Sequence, residues 1–315
     1  MILVGLQGGR WRASSARTFR ESLEIRMSPS RTTVVGRLSS RTRRVSIGRY
    51  HSAVAELHGF LPPRSPEGRA SIVPGPPWHY SGDLLTIEYR AEPGAVAAWL
   101  PDPIEPSDED PDAVAVIFAD WQSCSDSFEE LLDPVRSQYK ECFVVVRCTF
   151  RGDTYSRCIL IWVDKDFALA RGWHQGYPKK LGSVWMTRPV EVGSAGPRLA
   201  PGGTFGATLA ANDRRLAEAR LTLRRPSPGA GFVNALPMLH SRWFPSIEKE
   251  EKPALDELVT MRSRDVELGP AWVGDAELRL YDAPGEELAS LPVREPIAGY
   301  WRRVGATFDG GVRLA

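Results

Sequence analysis

YKECFVVVRCTFRGDTYSRCILIWVDKDFALARGWHQGYPKKLG, residues 139–182, opens with two runs, CFVVVRCTF (142–150) and CILIWVD (158–164), built almost wholly from β-branched, aromatic and small apolar residues. Short runs of that composition read as buried strands. Similar runs lie on either side: LLTIEYR (84–90) and AVAVIFA (113–119) before them, TFGATLAA (204–211), RLAEARLTL (215–223), AELRLYD (276–282) and LASLPV (288–293) after them. Asn212 and Asp213, between two of these, form the dipeptide of a tight hairpin turn. Helical signals are few. EPGAVAAWL (92–100) has Pro93 near a start and Pro101 as a stop, and KPALDELVTM (252–261) has room for another turn or two. Many strands with few long helices predict an α+β chain that is mainly antiparallel, curled into a barrel or sandwich with small helices outside.

Composition bounds the rest. The chain has 315 residues, a net charge of +1 and the apolar and charged fractions of an ordinary globular protein. Its first fifty residues carry many arginines against only two acids, Glu21 and Glu24. We read residues 1–60 as an Arg/Ser-rich tail without a packed core, and residues 61–315 as a single domain whose regular structure begins near Pro74. A nucleic-acid-binding arm, a transit peptide and a later start at Met27 are the alternatives for the tail. Beyond it the charge balance gives no support for nucleic acid as a partner. No run approaches the roughly 20 apolar residues of a membrane span, so the expected location is cytoplasmic with no membrane partner. Cys124, Cys142, Cys148 and Cys158 lack C-x-x-C spacing, and the five histidines lack zinc-site spacing; buried free thiols and no metal are expected. Neither phosphate-binding glycine motif is present, so no nucleotide cofactor is expected.

The chain uses six lysines against thirty-four arginines, yet Lys179 and Lys180 stand together after Pro178. Arginine replaces lysine as a charge but cannot lose its proton and cannot form an imine with a carbonyl. A retained lysine therefore points to a need for an amine, while a solvated Lys-Lys turn is the plain alternative. Arg171, Gln175 and Lys179 are spaced by four, which sets them on one face of a strand or of a helix. Gly172, Gly176 and Pro178 disfavour the helix, so an extended or kinked strand is expected. A lysine amine of ordinary pKa, about 10.4, is almost fully protonated at neutral pH; its use as a nucleophile requires burial or a neighbouring cation. Trp173, Tyr177 and the preceding strands are the expected apolar walls. Lys180, adjacent in an extended segment, need not face the same way as Lys179.

ARGWHQGYPKKLG resembles the signature of the acetoacetate decarboxylase superfamily, and the similarity extends over roughly residues 74–308, including AWVGDAELRLYDAPGEELASLPVREPI (271–297). The resemblance implies a curled antiparallel fold, a homo-oligomer, no cofactor, and Lys179 as the Schiff-base lysine with Lys180 as its companion. It also implies an active-site role for Glu141. The family's decarboxylases carry an Arg/Glu pair near the cavity mouth, at positions that align with Gly82 and Val116 here. The Arg171, Gln175, Lys179 series is similar instead to the divergent branch known from secondary metabolism and from aldolase-dehydratases acting on pyruvate and aldehydes. The expectation is a lyase of the aldolase type for a small oxo acid, with Arg171 holding a carboxylate, Gln175 orienting substrate or water, and Glu141 moving protons. Tyr300, in EPIAGYW (295–301), is a further acid/base or substrate-binding candidate. The alternatives are decarboxylation of a 3-oxo acid through the same imine, and a binding protein that keeps the pocket without turnover.

Overall fold

The computed structural model describes residues 56–315 except Glu250, and the side chain of Asn234 is also left out. The chain runs β1 (Trp78–Ala91), β2 (Glu105–Pro106), β3 (Ala113–Ser125), α1 (Pro134–Ser137), β4 (Gln138–Phe150), β5 (Asp153–Val163), α2 (Asp166–Gln175), β6 (Lys179–Leu181), β7 (Ser183–Met186), β8 (Thr204–Ala211), β9 (Arg214–Ser227), β10 (Leu239–Phe244), β11 (Leu255–Leu268), β12 (Ala271–Leu280) and β13 (Val293–Arg313). The main ladder is ordered β6-β5-β4-β3-β1-β13-β12-β9-β8-β7, with β10 and β11 joined to the long strand β13. All pairings are antiparallel except β5 with β6. The expected curled, mainly antiparallel sheet is thus what forms.

Period-two alternation gives the sheet two distinct faces. Leu85, Ile87 and Tyr89 of β1, Val114, Val116 and Phe118 of β3, and Cys142, Val144 and Val146 of β4 point one way, into a cluster that also holds Trp162, Val184, Phe205, Leu209, Leu221 and Trp301. Residues from strands at opposite ends of the ladder meet in this one cluster, which requires the sheet to curl around it. The ladder's ends, β6 and β7, are separated only by Gly182, and a Cβ there would lie 2.9 Å from the Cβ of Trp162 and 3.1 Å from the Ala210 carbonyl oxygen. The outer face carries Leu84, Ile117, Phe143 and Val145 under the segment around Phe232 and Val233.

Four local expectations are corrected. Residues 171–175 are helical, not extended, as the last part of α2. Residues 255–261 of the predicted helix lie in β11, where pairing with β10 and β13 overrides local helix propensity. LASLPV forms a 3-10 turn at Leu288–Ser290, burying Leu288 and Leu291 on one side, before β13 starts at Val293. EPGAVAAWL forms a 3-10 turn over Ala97–Trp99 only. The Asn212-Asp213 hairpin turn is present, both residues having positive φ. Residues 1–55 of the predicted tail lie outside the described residues. Phe60, near its end, is packed edge-on against Trp78 at 5.7 Å and His174 at 4.9 Å.

Candidate active site

The segment that carries the lysine pair is positioned by how α2 begins and ends. Its buried residues Phe167, Ala168, Arg171, Gly172 and Gln175 recur at helical spacing, and Asp166 Oδ1 accepts from the Phe167 N–H at 2.7 Å in the first turn. Gly176 ends the helix with φ +90°, where its N–H reaches the Trp173 carbonyl at 3.3 Å and the Tyr177 N–H reaches that of Gly172 at 2.9 Å. These two bonds are the Schellman pattern. The glycine and proline expected to break a helix instead stop it and turn the chain into β6. Lys179 then pairs with Ile161 at the sheet edge, beside the helix that bears Arg171 and Gln175.

Lys179 and Lys180 point to opposite sides of β6. Lys179 is buried, with Nζ donating to Glu141 Oε2 at 2.8 Å. Glu141 is buried as well, and its Oε1 accepts from Trp121 Nε1 at 2.8 Å. Tyr139 and Tyr177 lie 5.5 and 5.7 Å from Nζ. Gly172 makes room for the lysine stem, since a Cβ there would lie 2.3 Å from Lys179 Cδ. Lys180 is exposed and pairs with Glu286, close to the Trp162 ring.

A cavity of about 180 Å³ opens at Nζ, lined by Tyr80, Trp121, Tyr139, Glu141, Gln175, Tyr177, Lys179 and, covering them, Met238 just before β10, Met261 of β11 and Phe308 of β13. Larger grooves of about 650 and 580 Å³ lie elsewhere on the sheet and include neither Lys179 nor Glu141. Arg171 stands one layer behind the cavity wall. Its Nη1 donates to Ser123 Oγ at 3.0 Å, its guanidinium lies 4.9 Å from the Trp78 ring and 5.5 Å from Tyr80, and its Nε is buried without a hydrogen-bond partner. Burial pushes the Tyr80 phenol up, with Arg171 opposing. Tyr139 and Tyr177 are raised well above the usual phenol range, again first by burial.

The structure therefore brings together Lys179, Glu141, Gln175 and, behind them, Arg171. It sets apart Lys180, and also Tyr300, which does not line the cavity and whose phenol is raised by burial and then by Glu88. Trp173 is half exposed and outside the cavity lining, though its Nε1 donates to the Lys179 carbonyl at 2.9 Å. Gly82 and Val116 lie on opposite faces of the sheet: Gly82 accommodates the Trp121 ring, and Val116 is in the inner core. They do not form a pair at a cavity mouth. The residues sequence reasoning missed are Tyr80, Trp121, Ser123 and Tyr139. Their signal is cross-strand register, since Tyr80 faces Ser123 and Trp121 faces both Gly82 and Tyr139. His240 was missed too: it is buried against Tyr177 at 4.0 Å with both ring nitrogens unpartnered, and burial, then Arg157 and Lys179, push it down to about 3.

All four cysteines are buried and unpaired, and no group of residues suited to a metal ion occurs among the described residues. No helix among them is long and apolar enough to cross a membrane.

Residues 61–315 match the acetoacetate decarboxylase (ADC) family. This chain belongs to that family. The acetoacetate decarboxylase of Chromobacterium violaceum is 28% identical over 232 residues, covering 71% of this chain and 82% of that protein. The enduracididine biosynthesis enzyme MppR, solved with pyruvate, is 37% identical with a TM-score of 0.78, over 83% of this chain and 99% of MppR. MppR has also been solved with the condensation product of pyruvate and imidazole 4-carboxaldehyde; this chain superposes on it with a TM-score of 0.79, over 84% of this chain and 98% of MppR. The chain is thus a related lyase-type enzyme whose cavity sits on the outer face of the family's sheet.

Proposed function

We propose that this acetoacetate decarboxylase family member binds a small 2-oxo acid, such as pyruvate, as an imine on Lys179 and adds the derived enamine to an aldehyde, with loss of water. The observation that carries this reading is the buried contact of 2.8 Å between Lys179 Nζ and Glu141, opening on a small ring-walled cavity. The complexes of MppR with pyruvate and with a pyruvate condensation product support the substrate class.

Glu141 takes a proton from the Lys179 ammonium, and the freed amine attacks the carbonyl carbon; the same carboxyl returns the proton as water leaves the carbinolamine. The protonated imine then acts as an electron sink, and Glu141 removes a proton from the adjacent carbon to give the enamine. Trp121 holds Glu141 in place through Oε1, which leaves Oε2 directed at the lysine. Gln175 and the Tyr80 phenol are the direct partners for the substrate carboxylate, and Arg171 supplies positive charge behind them. A carboxylate that stays on the substrate gains from that charge. A departing one does not, because holding it favours the ground state.

The test is pyruvate labelled at C1, offered with an aldehyde. The expected product is an unsaturated oxo acid that keeps the label, with little labelled carbon dioxide. Rapid carbon dioxide release from a 3-oxo acid, with no product from any aldehyde, would overturn this reading in favour of decarboxylation.

A further inference from the structure

The cavity at Lys179 is walled by the rings of Tyr80, Trp121, Tyr139 and Tyr177, and its carboxylate, Glu141, is already paired. That space suits a small oxo acid and offers no free charge to a longer partner. A second cavity, of about 290 Å³, adjoins it: Gln175, Met261 and Phe308 line both. Its remaining walls bring polar groups from four elements, with His174 on α2 and the charged Arg242 on β10, Glu257 on β11 and Arg313 on β13.

Glu257 anchors this vestibule. Its Oε2 accepts from Arg242 Nη1 at 2.6 Å, and its Oε1 accepts from Arg313 Nη1 at 3.3 Å. Burial, then the charge of Arg242, holds the His174 imidazole below its ordinary range. With His174 neutral, two guanidiniums face one carboxylate, a net single positive charge. Arg242 also has a buried Nε with no hydrogen-bond partner. Its guanidinium is thus held by Glu257 through one nitrogen and retains unused donor capacity.

The enamine formed on Lys179 needs its carbonyl acceptor to approach from a side other than the one walled by Tyr80, Trp121, Tyr139 and Tyr177. The boundary of Gln175, Met261 and Phe308, which the two cavities share, is such a side. We infer that the vestibule is the acceptor subsite and that it selects aldehydes bearing a carboxylate at their far end, through Arg242. This rests on the reading of Lys179 as the imine-forming residue. In the step itself the enamine carbon forms a bond to the aldehyde carbon. The aldehyde oxygen takes up two protons and departs as water while the former enamine carbon loses a further proton to form the double bond. A water molecule then hydrolyses the imine to release the product and free Lys179. The far carboxylate is unchanged.

Succinic semialdehyde and butanal have the same chain length and differ in that carboxylate. Their kcat/KM values, each with pyruvate, would be measured on the full chain and on Arg242→Gln and Glu257→Gln. The wild type is expected to favour succinic semialdehyde about tenfold or more, as befits a charge-assisted hydrogen bond. Arg242→Gln should collapse that ratio towards one, whereas Glu257→Gln should raise it. Opposite shifts from two neutralising substitutions are not produced by general damage to the fold. Equal use of the two aldehydes by the wild type, with an imine trapped on Lys179 by borohydride, would overturn the inference alone. Failure to trap any imine, or to condense any aldehyde, would overturn the reading beneath it as well.

Discussion

The inner and outer faces of the sheet are made by alternate residues of the same strands, yet they solve different problems. Inside the curl, Leu85, Val116, Phe118, Val144 and Trp301 are buried in a nearly continuous apolar core. Outside, the same strands present Tyr80, Trp121, Ser123, Tyr139 and Glu141. Burial of polar groups is unfavourable unless each finds a partner. Glu141 has two, Lys179 and Trp121, while Arg171 Nε and both His240 nitrogens have none. The inner face supplies stability, and the outer face uses that rigidity to hold charged groups where a solvated surface would not.

Removing the outer-face carboxylate should produce the largest effect on chemistry. Glu141→Gln keeps the shape and loses the proton acceptor, so turnover is expected to fall about 10²–10⁴-fold. Steady-state rates beside melting curves would check this; wild-type turnover would remove Glu141 from the mechanism. The inner face should behave in the opposite way. Phe118→Ala is expected to cost about 3–5 kcal/mol of stability, read by denaturant titration, with kcat/KM of the folded fraction little changed. A selective loss of activity there would blur the division between the faces.

The inner face was the more legible of the two in the sequence. AVAVIFA and CFVVVRCTF announce strands through composition alone, and pairing in a curled sheet follows from their number. Lys179 and Gln175 stand out because an arginine-rich chain keeps a lysine pair inside a family signature, and Glu141 only through the wider resemblance to that family. By propensity Gly172 and Gly176 disfavour helix, so the segment bearing Arg171 and Gln175 reads as extended although it is helical. Their reasons are tertiary: Gly172 clears space for the Lys179 stem, and Gly176 adopts the left-handed cap. Tyr80, Ser123 and Tyr139 depend on register between strands far apart in sequence, which no local pattern records.

Two smaller effects sharpen the contrast. Gly172→Ala favours helix by about 1 kcal/mol, yet its Cβ would displace the Lys179 stem. Imine formation should slow about 10²-fold, as expected for a reacting group moved by about 1 Å, without a matching fall in melting temperature. Unaltered imine kinetics would show that the stem has space to spare. His240 supplies the smallest effect. Its imidazole is held down to about 3 in the folded chain, against about 6.5 when unfolded. Between those values the unfolded chain binds a proton that the folded chain refuses. Its contribution is full above about 6.5 and declines as pH falls towards 3, by at most about 1.4 kcal/mol per pH unit. His240→Phe should flatten that part of the stability profile, and an unchanged slope would remove His240 as its source.

The most direct measurement is borohydride reduction of the full chain with pyruvate, followed by peptide mass mapping. The adduct is expected on Lys179. It should vanish in Lys179→Arg, which keeps the charge and removes the amine, while Lys180 remains available. An adduct on Lys180, or one undiminished in Lys179→Arg, would contradict the assignment of the buried lysine as the residue that forms the imine.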